Sequence, residues 1–520
     1  MVSKNIDAQF KPIFSVDLRQ DIVELPDLSS NLDVRYSVIK PYANIHIHHE
    51  ADSKDLVYEV EEPNLTDQEK KVFSLVEDGI RELINISFLN VQSPNVVMEY
   101  LERNVNIIMR EFQVSVSEES FLKIMYFIWR NFVGLNDIEA MINDYYVEDI
   151  ECNGINTPIY IVHRKYRNLR TNIIFTEMGK LTNFVEKLAQ KAGKYISYAT
   201  PLLDGRLPDG SRLNCTYSSD ISTRGPTFTI RRFTQTPWTP IKLMEFRTVS
   251  PEVLAYLWIL VEYGANIIII GATASGKTSF LNALAFFIPP AARIVTIEDT
   301  KELNLMHENW LPSVSRAGFG SENLLGEKSG AVSMFELLKE SFRQRPDYVV
   351  VGEIRGSEAF VMFQGAASGH PVISTMHAES VETLIRRLET EPINLSPTLV
   401  QSLDAVCVLV QARVGGKVVR RLQEVVEVVS VQADGNAVTN TPLVRDPASD
   451  KFFFKTKSVM FDKIVMRHGV KKSVLDYEFN VRSKLLYHLL KSKIFGFKEV
   501  QVIINDYYKN PKNVLDRFKI

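Results

Sequence analysis

Residues 271–278 read Gly-Ala-Thr-Ala-Ser-Gly-Lys-Thr, a complete G-x-x-x-x-G-K-T pattern that leaves the backbone little choice of shape. The flanks make the reading specific. Residues 265–270 (Ala-Asn-Ile-Ile-Ile-Ile) are apolar enough for a strand buried on both faces. Residues 279–287 place Leu281, Leu284 and Phe287 at helical spacing, and Pro289-Pro290 ends the run. Strand, glycine loop and helix together predict a cradle of N–H groups at a helix N-terminus, with Lys277 adding a full positive charge and Thr278 a hydroxyl suited to Mg²⁺. The expectation is a nucleoside triphosphate held by Gly271, Ala272, Thr273, Ala274, Ser275, Gly276, Lys277, Thr278 and Ser279.

The remaining composition narrows the class by exclusion. A chain of 520 residues has room for two to four domains. Its formal net charge of −3 argues against a general nucleic-acid-binding surface. No run approaches the roughly 18 apolar residues of a membrane span, and the first residues lack an apolar signal core. The expected location is therefore cytoplasmic, with any membrane attachment made through partners. Cys152, Cys215 and Cys407 form no C-x-x-C pair and read as buried small apolar residues.

Four stretches organise the chain. Residues 1–65 read as an irregular arm broken by Pro12, Pro26, Pro41 and Pro63. Within it, residues 44–50 (Asn-Ile-His-Ile-His-His-Glu) alternate like a strand with one wet face. Their three histidines invite a metal reading, but no second cluster with ligand spacing is visible, so an exposed strand is expected. Residues 66–135 predict helices over 66–86, 94–112 and 118–132, the third rich in aromatic residues; a packed bundle and a docking module both fit. Residues 136–245 mix a strand at 157–164, a helix at 178–191 and arginine-bearing loop-like stretches at 204–214 and 222–233, with Pro237, Pro240 and Pro251 marking a linker. Residues 246–520 alternate apolar strands and helices to about 430, as in a parallel sheet, and end in a polar connector and lysine-rich helices.

Three further segments carry candidate chemistry. Residues 293–303 form an apolar strand running into Glu298, Asp299 and Glu302, which could orient or deprotonate a water at the ligand crevice. Residues 345–355 form another, closed by Gly352 and Glu353, where a Mg²⁺ or water-positioning carboxylate belongs. His370 and His377 bracket a third strand and are candidate sensors of a terminal phosphate.

In this order the four segments resemble the type II/type IV secretion ATPase superfamily: a Walker A loop (271–278), an acidic box (298–302), a Walker B strand ending Gly352-Glu353 and a histidine box (370–377). The likeness reaches back through residues 146–156, 204–212 and 222–231, which look like the family's N-terminal sensor domain in its archaeal form, and forward through 420–427. It implies a RecA-like ATPase domain preceded by a mixed α/β, PAS-like domain and an N-terminal helical segment. It implies Glu302 as the catalytic carboxylate with Glu298 second, Glu353 in the metal or sensor shell, and Arg206, Arg212, Arg224 and Arg231 as arginine fingers. Its expected cofactors are ATP and Mg²⁺. A homohexamer working with a polytopic membrane platform protein is the expected assembly, driving an archaellum, an archaeal type IV pilus or a secretion machine. Two departures stand out: the tetracysteine zinc module of many bacterial members is missing, and the 317–332 loop, with Gly318, Gly320, Gly326 and Gly330, is longer than the archaellum motor's pattern. The competing classes are a P-loop ATPase acting on nucleic acid, which the charge disfavours, and a non-hydrolysing nucleotide-binding scaffold, which retention of Lys277, Glu302 and Glu353 disfavours.

Overall fold

The computed structural model describes residues 12–19, 23–29, 31–51, 54–83, 94–233, 237–316, 318–322, 328–415, 417–432 and 437–520. The chain divides into two compact units, 1–233 and 234–520. The expected helix end at 84–86, Gly326 of the long loop and residues 433–436 of the polar connector lie outside the described residues.

In the first unit, nine described strands make one sheet. Asp33–Ile39, Ala43–His49 and Leu56–Glu61 form an antiparallel meander, and Leu56–Glu61 then pairs in parallel with Arg167–Ile174. The sheet continues through Pro158–His163, Val147–Cys152, Thr227–Arg231, Arg212–Thr216 and Leu202–Arg206. The expected irregular arm is thus, from Asp33 onward, part of this sheet. Its alternation is visible in the burial of Ala43, Ile45 and Ile47 beneath Asn44, His46 and His48. The arginine-bearing stretch at 204–214 also differs from its loop-like appearance. It is a hairpin, with Asp204 opposite Asn214 and Arg206 opposite Arg212.

Helices Asp67–Leu83, Pro94–Glu111 and Glu118–Phe132 lie close to their expected positions, and Met178–Lys191 matches its own. Their apolar faces share a single core with the sheet. The aromatic third helix spends Phe121, Tyr126 and Trp129 in that core, which leaves little of the surface that suggested a docking face. Tyr126 donates a 2.6 Å hydrogen bond to Glu62, and Arg130 bonds Glu62 and, at 2.8 Å, Asp137. A second anchor is buried Asp144. It accepts hydrogen bonds from the hydroxyls of Tyr36 (2.7 Å) and Tyr58 (2.8 Å), both on the N-terminal meander, and from the Tyr146 amide at 2.8 Å. The expected boundaries at 65 and 135 therefore fall inside one packed unit.

In the second unit, nine of the described strands again form one sheet, and Phe319–Glu322 pairs antiparallel with Lys328–Ser329 in a separate two-stranded one. Trp310–Val314, Ile294–Glu298, Tyr348–Ile354, Val372–Met376, Ile267–Gly271 and Ala405–Val414 run parallel in that spatial order. Lys417–Val431, Ala437–Asp446 and Lys451–Phe454 then extend the nine-stranded sheet antiparallel, the last two lying where only a connector and helices were expected. Two cores cover the two faces. On one of them, helix Pro251–Glu262 is buried from Val253 to Val261, and Trp258 stacks on Phe287 and reaches Tyr508 through its indole N–H at 2.9 Å. Among the described residues no helix is long and apolar enough to cross a membrane.

Candidate functional site

The parallel ladder aligns the carboxyl ends of its strands. Ile270 pairs with Met376, Ile354 with Met376, and Ile297 with Val351, so Gly271, Glu298, Glu353 and His377 emerge at one edge. That edge is where ligands meet open α/β sheets.

The loop itself is tightly determined. Gly271 packs so closely on the neighbouring strand that a Cβ would stand 2.3 Å from the Leu409 carbonyl oxygen, and only glycine fits. Gly276 is the N-cap of helix Lys277–Ala285. Among the described residues, none accepts a hydrogen bond from the N–H groups of Gly276, Lys277 or Thr278, which leaves these donors at a helix N-terminus for an anion. The buried Ser275 hydroxyl is likewise without a partner among them. Two residues, one on the last parallel strand and one on the antiparallel strand beside it, brace the loop from outside: Gln411 Nε2 donates to the Thr273 carbonyl at 3.2 Å and Arg420 Nε to that of Ala274 at 2.9 Å. Neither carries a motif that marks it for this role. Both become visible only once the Ala405–Val414 and Lys417–Val431 strands pair.

Lys277 Nζ donates to the carbonyls of Gly271 and Ala272, each at 3.1 Å, and stands 3.3 Å from His377 Nδ1. Burial depresses its pKa, an effect that Glu353 opposes. The other ring nitrogen of His377, Nε2, lies 2.8 Å from Glu353 Oε1, and Glu353 Oε2 meets Arg355 at 2.5 Å. Desolvation first, then the charges of Lys277, Arg355 and Arg387, lowers the His377 pKa against the opposing pull of Glu353, which favours the neutral ring. A neutral ring accepting from Lys277 at Nδ1 carries its proton at Nε2, facing the carboxylate. The turn of Glu353 into this array has a local cause: the strand register slips between Val351 and Ile354, and Gly352 and Glu353 occupy the irregularity. The Thr375 hydroxyl ties the Gly352 carbonyl at 2.7 Å, and Arg387 bonds the His377 carbonyl.

The acidic segment separates into distinct roles. Glu298 is buried, and its Oε1 accepts from the amides of Glu302 (2.8 Å) and Leu303 (2.9 Å). It therefore shapes the backbone that presents Glu302, whose own side chain is exposed. Asn282, on the helix after the phosphate loop, accepts from the Asn304 amide at 3.0 Å and ties the same segment down. Asp299 faces outward and accepts from the Ser315 hydroxyl at 2.6 Å.

His370 is not part of this array. It sits before the amino end of Val372–Met376, with Nδ1 3.3 Å from the Pro346 carbonyl and its ring against Phe342. At about 3.3 Å per strand residue it lies roughly 20 Å from His377, at the opposite edge of the sheet. Of the two histidines expected as sensors, only His377 lies at the edge that carries the loop.

In the first unit, ladder pairing sets Arg206 opposite Arg212, Arg212 opposite Arg231 and Arg231 opposite Asp149, one row on one face. Arg212 makes a forked pair with Asp204 at 2.8 and 3.2 Å, and the exposed Arg231 meets Asp149 at 3.1 Å. Arg224 lies off this row in an exposed turn, where its carbonyl accepts from the Ile155 amide at 2.8 Å. The three cysteines are buried and unpaired, and burial raises the Cys152 thiol to about 11.

A parallel sheet with this loop and its carboxylates at the strand ends defines a phosphate-loop nucleotide-binding protein. The family model for "Type II/IV secretion system protein" matches residues 134–449, more than half of the chain. The chain belongs to that family. An uncharacterized protein of the archaeon Methanocaldococcus jannaschii is 34% identical over 530 residues, covering 96% of this chain and 92% of its own. The type IV secretion system protein PtlH of Bordetella pertussis is 31% identical over 289 residues, 48% of this chain and 83% of PtlH. Among solved structures, the Legionella pneumophila ATPase DotB overlaps 70% of this chain and 92% of its own at 16% identity, with a TM-score of 0.38. The resemblance drawn from the four sequence segments is thus the chain's family, and the archaeal branch fits its archaeal relative.

Proposed function

We propose that this chain is an ATP-hydrolysing motor subunit that works as a homohexamer on an archaeal type IV pilus-like filament or secretion machine. The observation that carries the reading is the contiguous set Lys277, His377 and Glu353 beside open amide donors, gathered from three strand ends. The site suits a triphosphate: Gly276, Lys277 and Thr278 offer N–H groups, Lys277 a cation and Ser275 a buried hydroxyl in need of a partner. Mg²⁺ suits the oxygen donors present; the Thr278 hydroxyl would hold it, with Glu353 nearby in the outer shell, and it would neutralise phosphate charge.

This chain's own residues supply the rest. Lys277 and the loop amides bind and polarise the β- and γ-phosphates, while Glu302 orients the attacking water. Glu298 holds the Glu302 backbone in place. His377 links the lysine that senses the phosphates to Glu353, so a change at one is felt at the other. The arginine row gathers three cations on one face, where Asp204 pairs with Arg212 and Asp149 with Arg231, and a phosphate would compete for those pairs. Arg206, Arg212 and Arg231 are the better finger candidates, with Arg224, off the row, second.

Phosphate release from ATP and Mg²⁺, followed by light scattering with and without nucleotide, tests the motor. Turnover lost in Lys277→Ala together with ATP-favoured rings supports it. A full-length protein that binds ATP without hydrolysing it would leave the scaffold reading, and full activity as a monomer would remove the ring. Co-purification with a polytopic membrane protein, and loss of filaments when the gene is deleted, test the partner.

A further inference from the structure

The N-terminal meander brings together residues that are scattered in the sequence. On Ala43–His49, the two-residue repeat of a strand sends His46 and His48 to the same face. Their rings stack at 4.1 Å between centroids. Across the ladder, Glu59 of Leu56–Glu61 sits directly opposite His46, and Asp33 of Asp33–Ile39 opposite His48. One donor atom from each of His46, His48 and Glu59 lies within 4.8 Å of the other two. Glu59 comes from a strand the sequence does not announce, which is why the histidines alone looked like a wet face.

We propose that His46, His48 and Glu59 bind a zinc-class divalent cation, with water completing a four-coordinate shell. Three features carry this. His46 is already oriented as a ligand: Nε2 is 2.9 Å from Asp33 Oδ1, and Nδ1 faces Glu59 Oε2 at 3.6 Å. A carboxylate holding the far nitrogen of a ligating histidine is the usual outer-shell arrangement, since it sets the tautomer and raises ligand basicity. The 3.6 Å separation is close to the roughly 3.3 Å edge of a tetrahedron with bonds of about 2.0–2.1 Å. Finally, His48 Nδ1 is buried with no hydrogen-bond partner among the described residues, a cost that ligation or reorganisation at this cluster would relieve.

Imidazole donors select zinc, nickel or copper over magnesium, so the site is chemically distinct from the nucleotide's Mg²⁺. One competitor stands in the way. Arg35 Nη2 lies 3.4 Å from His46 Nδ1 while pairing with Glu61 Oε1 at 2.8 Å. The Arg35 side chain is 62% exposed and free to turn toward solvent, so a cation would displace it. The ion would then clip the second and third strands of the meander together.

The experiment titrates untagged, chelator-treated full-length protein with Co²⁺ in excess Mg²⁺, reading the visible absorption of four-coordinate cobalt, and then displaces it with Zn²⁺. One equivalent per chain is expected. His46→Ala and His48→Gln should each abolish the band with the circular dichroism unchanged, and Asp33→Asn should weaken binding about 10-fold or more. Arg35→Gln should tighten it, an outcome no unfolding artefact can produce. No cobalt band in the wild-type protein, or a band unaffected by both histidine variants, overturns the site. Lys277→Ala should leave it intact, and loss of the band there would place the ion at the phosphate loop instead.

Discussion

Lys277 and His377 are 100 residues apart in the chain, yet Nζ of one stands 3.3 Å from Nδ1 of the other. The contact depends on a neutral imidazole, and the depressed His377 pKa keeps the ring neutral at and somewhat below the ordinary histidine value of 6.5. Protonation removes the acceptor and sets a second cation against Lys277. Turnover should therefore hold from pH 8 down past 6.5 and fall only at lower pH. His377→Gln should lose at least about tenfold in kcat, equivalent to about 1.4 kcal/mol, and should also lose this acid limb. A pH–rate profile of both proteins measures it; an unchanged limb in the variant assigns it to another group.

Glu302 and Glu298 should fail differently. Glu302 is exposed at the site and Glu298 buried beneath it, holding the Glu302 and Leu303 amides. Glu302→Gln should bind ATP normally and slow hydrolysis by roughly 10²–10⁴-fold. Glu298→Ala should lower the melting temperature as well as activity, because two amides lose a charged acceptor. Nucleotide binding and thermal melting on both variants separate the roles. Normal turnover in Glu302→Gln would move the catalytic carboxylate elsewhere.

The arginine row makes a third test. Arg231 is 68% exposed and its pair with Asp149 is worth little to stability, so Arg231→Ala should fold and bind ATP as the native protein does. As a finger it should cost roughly 10³-fold or more in turnover. Arg224→Ala, off the row, should cost less. Equal activity in all four arginine variants would remove the finger assignment.

Stability should fall in mild acid through His163. Its ring is buried between Tyr146 and Tyr166, its Nδ1 accepts from the amides of Lys165 and Tyr166, and burial lowers its pKa from 6.5 to about 3. Between those values the unfolded chain binds a proton that the folded chain refuses. Folding free energy is therefore fully present above about 6.5 and is lost by about 1.4 kcal/mol per pH unit as pH falls toward 3. Urea unfolding at pH 7 and 5 should show the loss in the native protein. A His163→Asn variant should be weaker at pH 7 but flatter with pH.

The N-terminal meander should be structural rather than detachable. Tyr36→Phe and Tyr58→Phe each remove a hydroxyl from buried Asp144, and each should cost about 1–3 kcal/mol. Removing residues 1–135 takes away three strands and much of the shared core, so that shortened chain should expose a sheet edge and aggregate. A soluble, active chain starting at 136 would contradict this.

What local pattern determined is considerable. Residues 265–287 specified strand, loop and helix because glycine placement, apolar run and helical spacing all lie within about twenty neighbouring residues. The helices at 67–83, 94–111, 118–132 and 178–191 were legible for the same reason, and so were the acidic, Gly-Glu and histidine segments. Tertiary structure decided what depends on partners distant in the chain. Only ladder pairing joins Leu56–Glu61 to Arg167–Ile174 and so merges the arm with the following domain. Only strand direction distinguishes His377, at a carboxyl end, from His370, at an amino end, since both flank the same apolar run. Glu298 and Glu302 look alike in sequence, and burial alone makes one a support and leaves the other exposed. Gln411 and Arg420 reach the phosphate loop because the Ala405–Val414 strand pairs beside Ile267–Gly271 and the antiparallel Lys417–Val431 strand pairs with it in turn. Periodicity reports which face a side chain takes; which element that face will meet is set by long-range pairing, and no local window contains it.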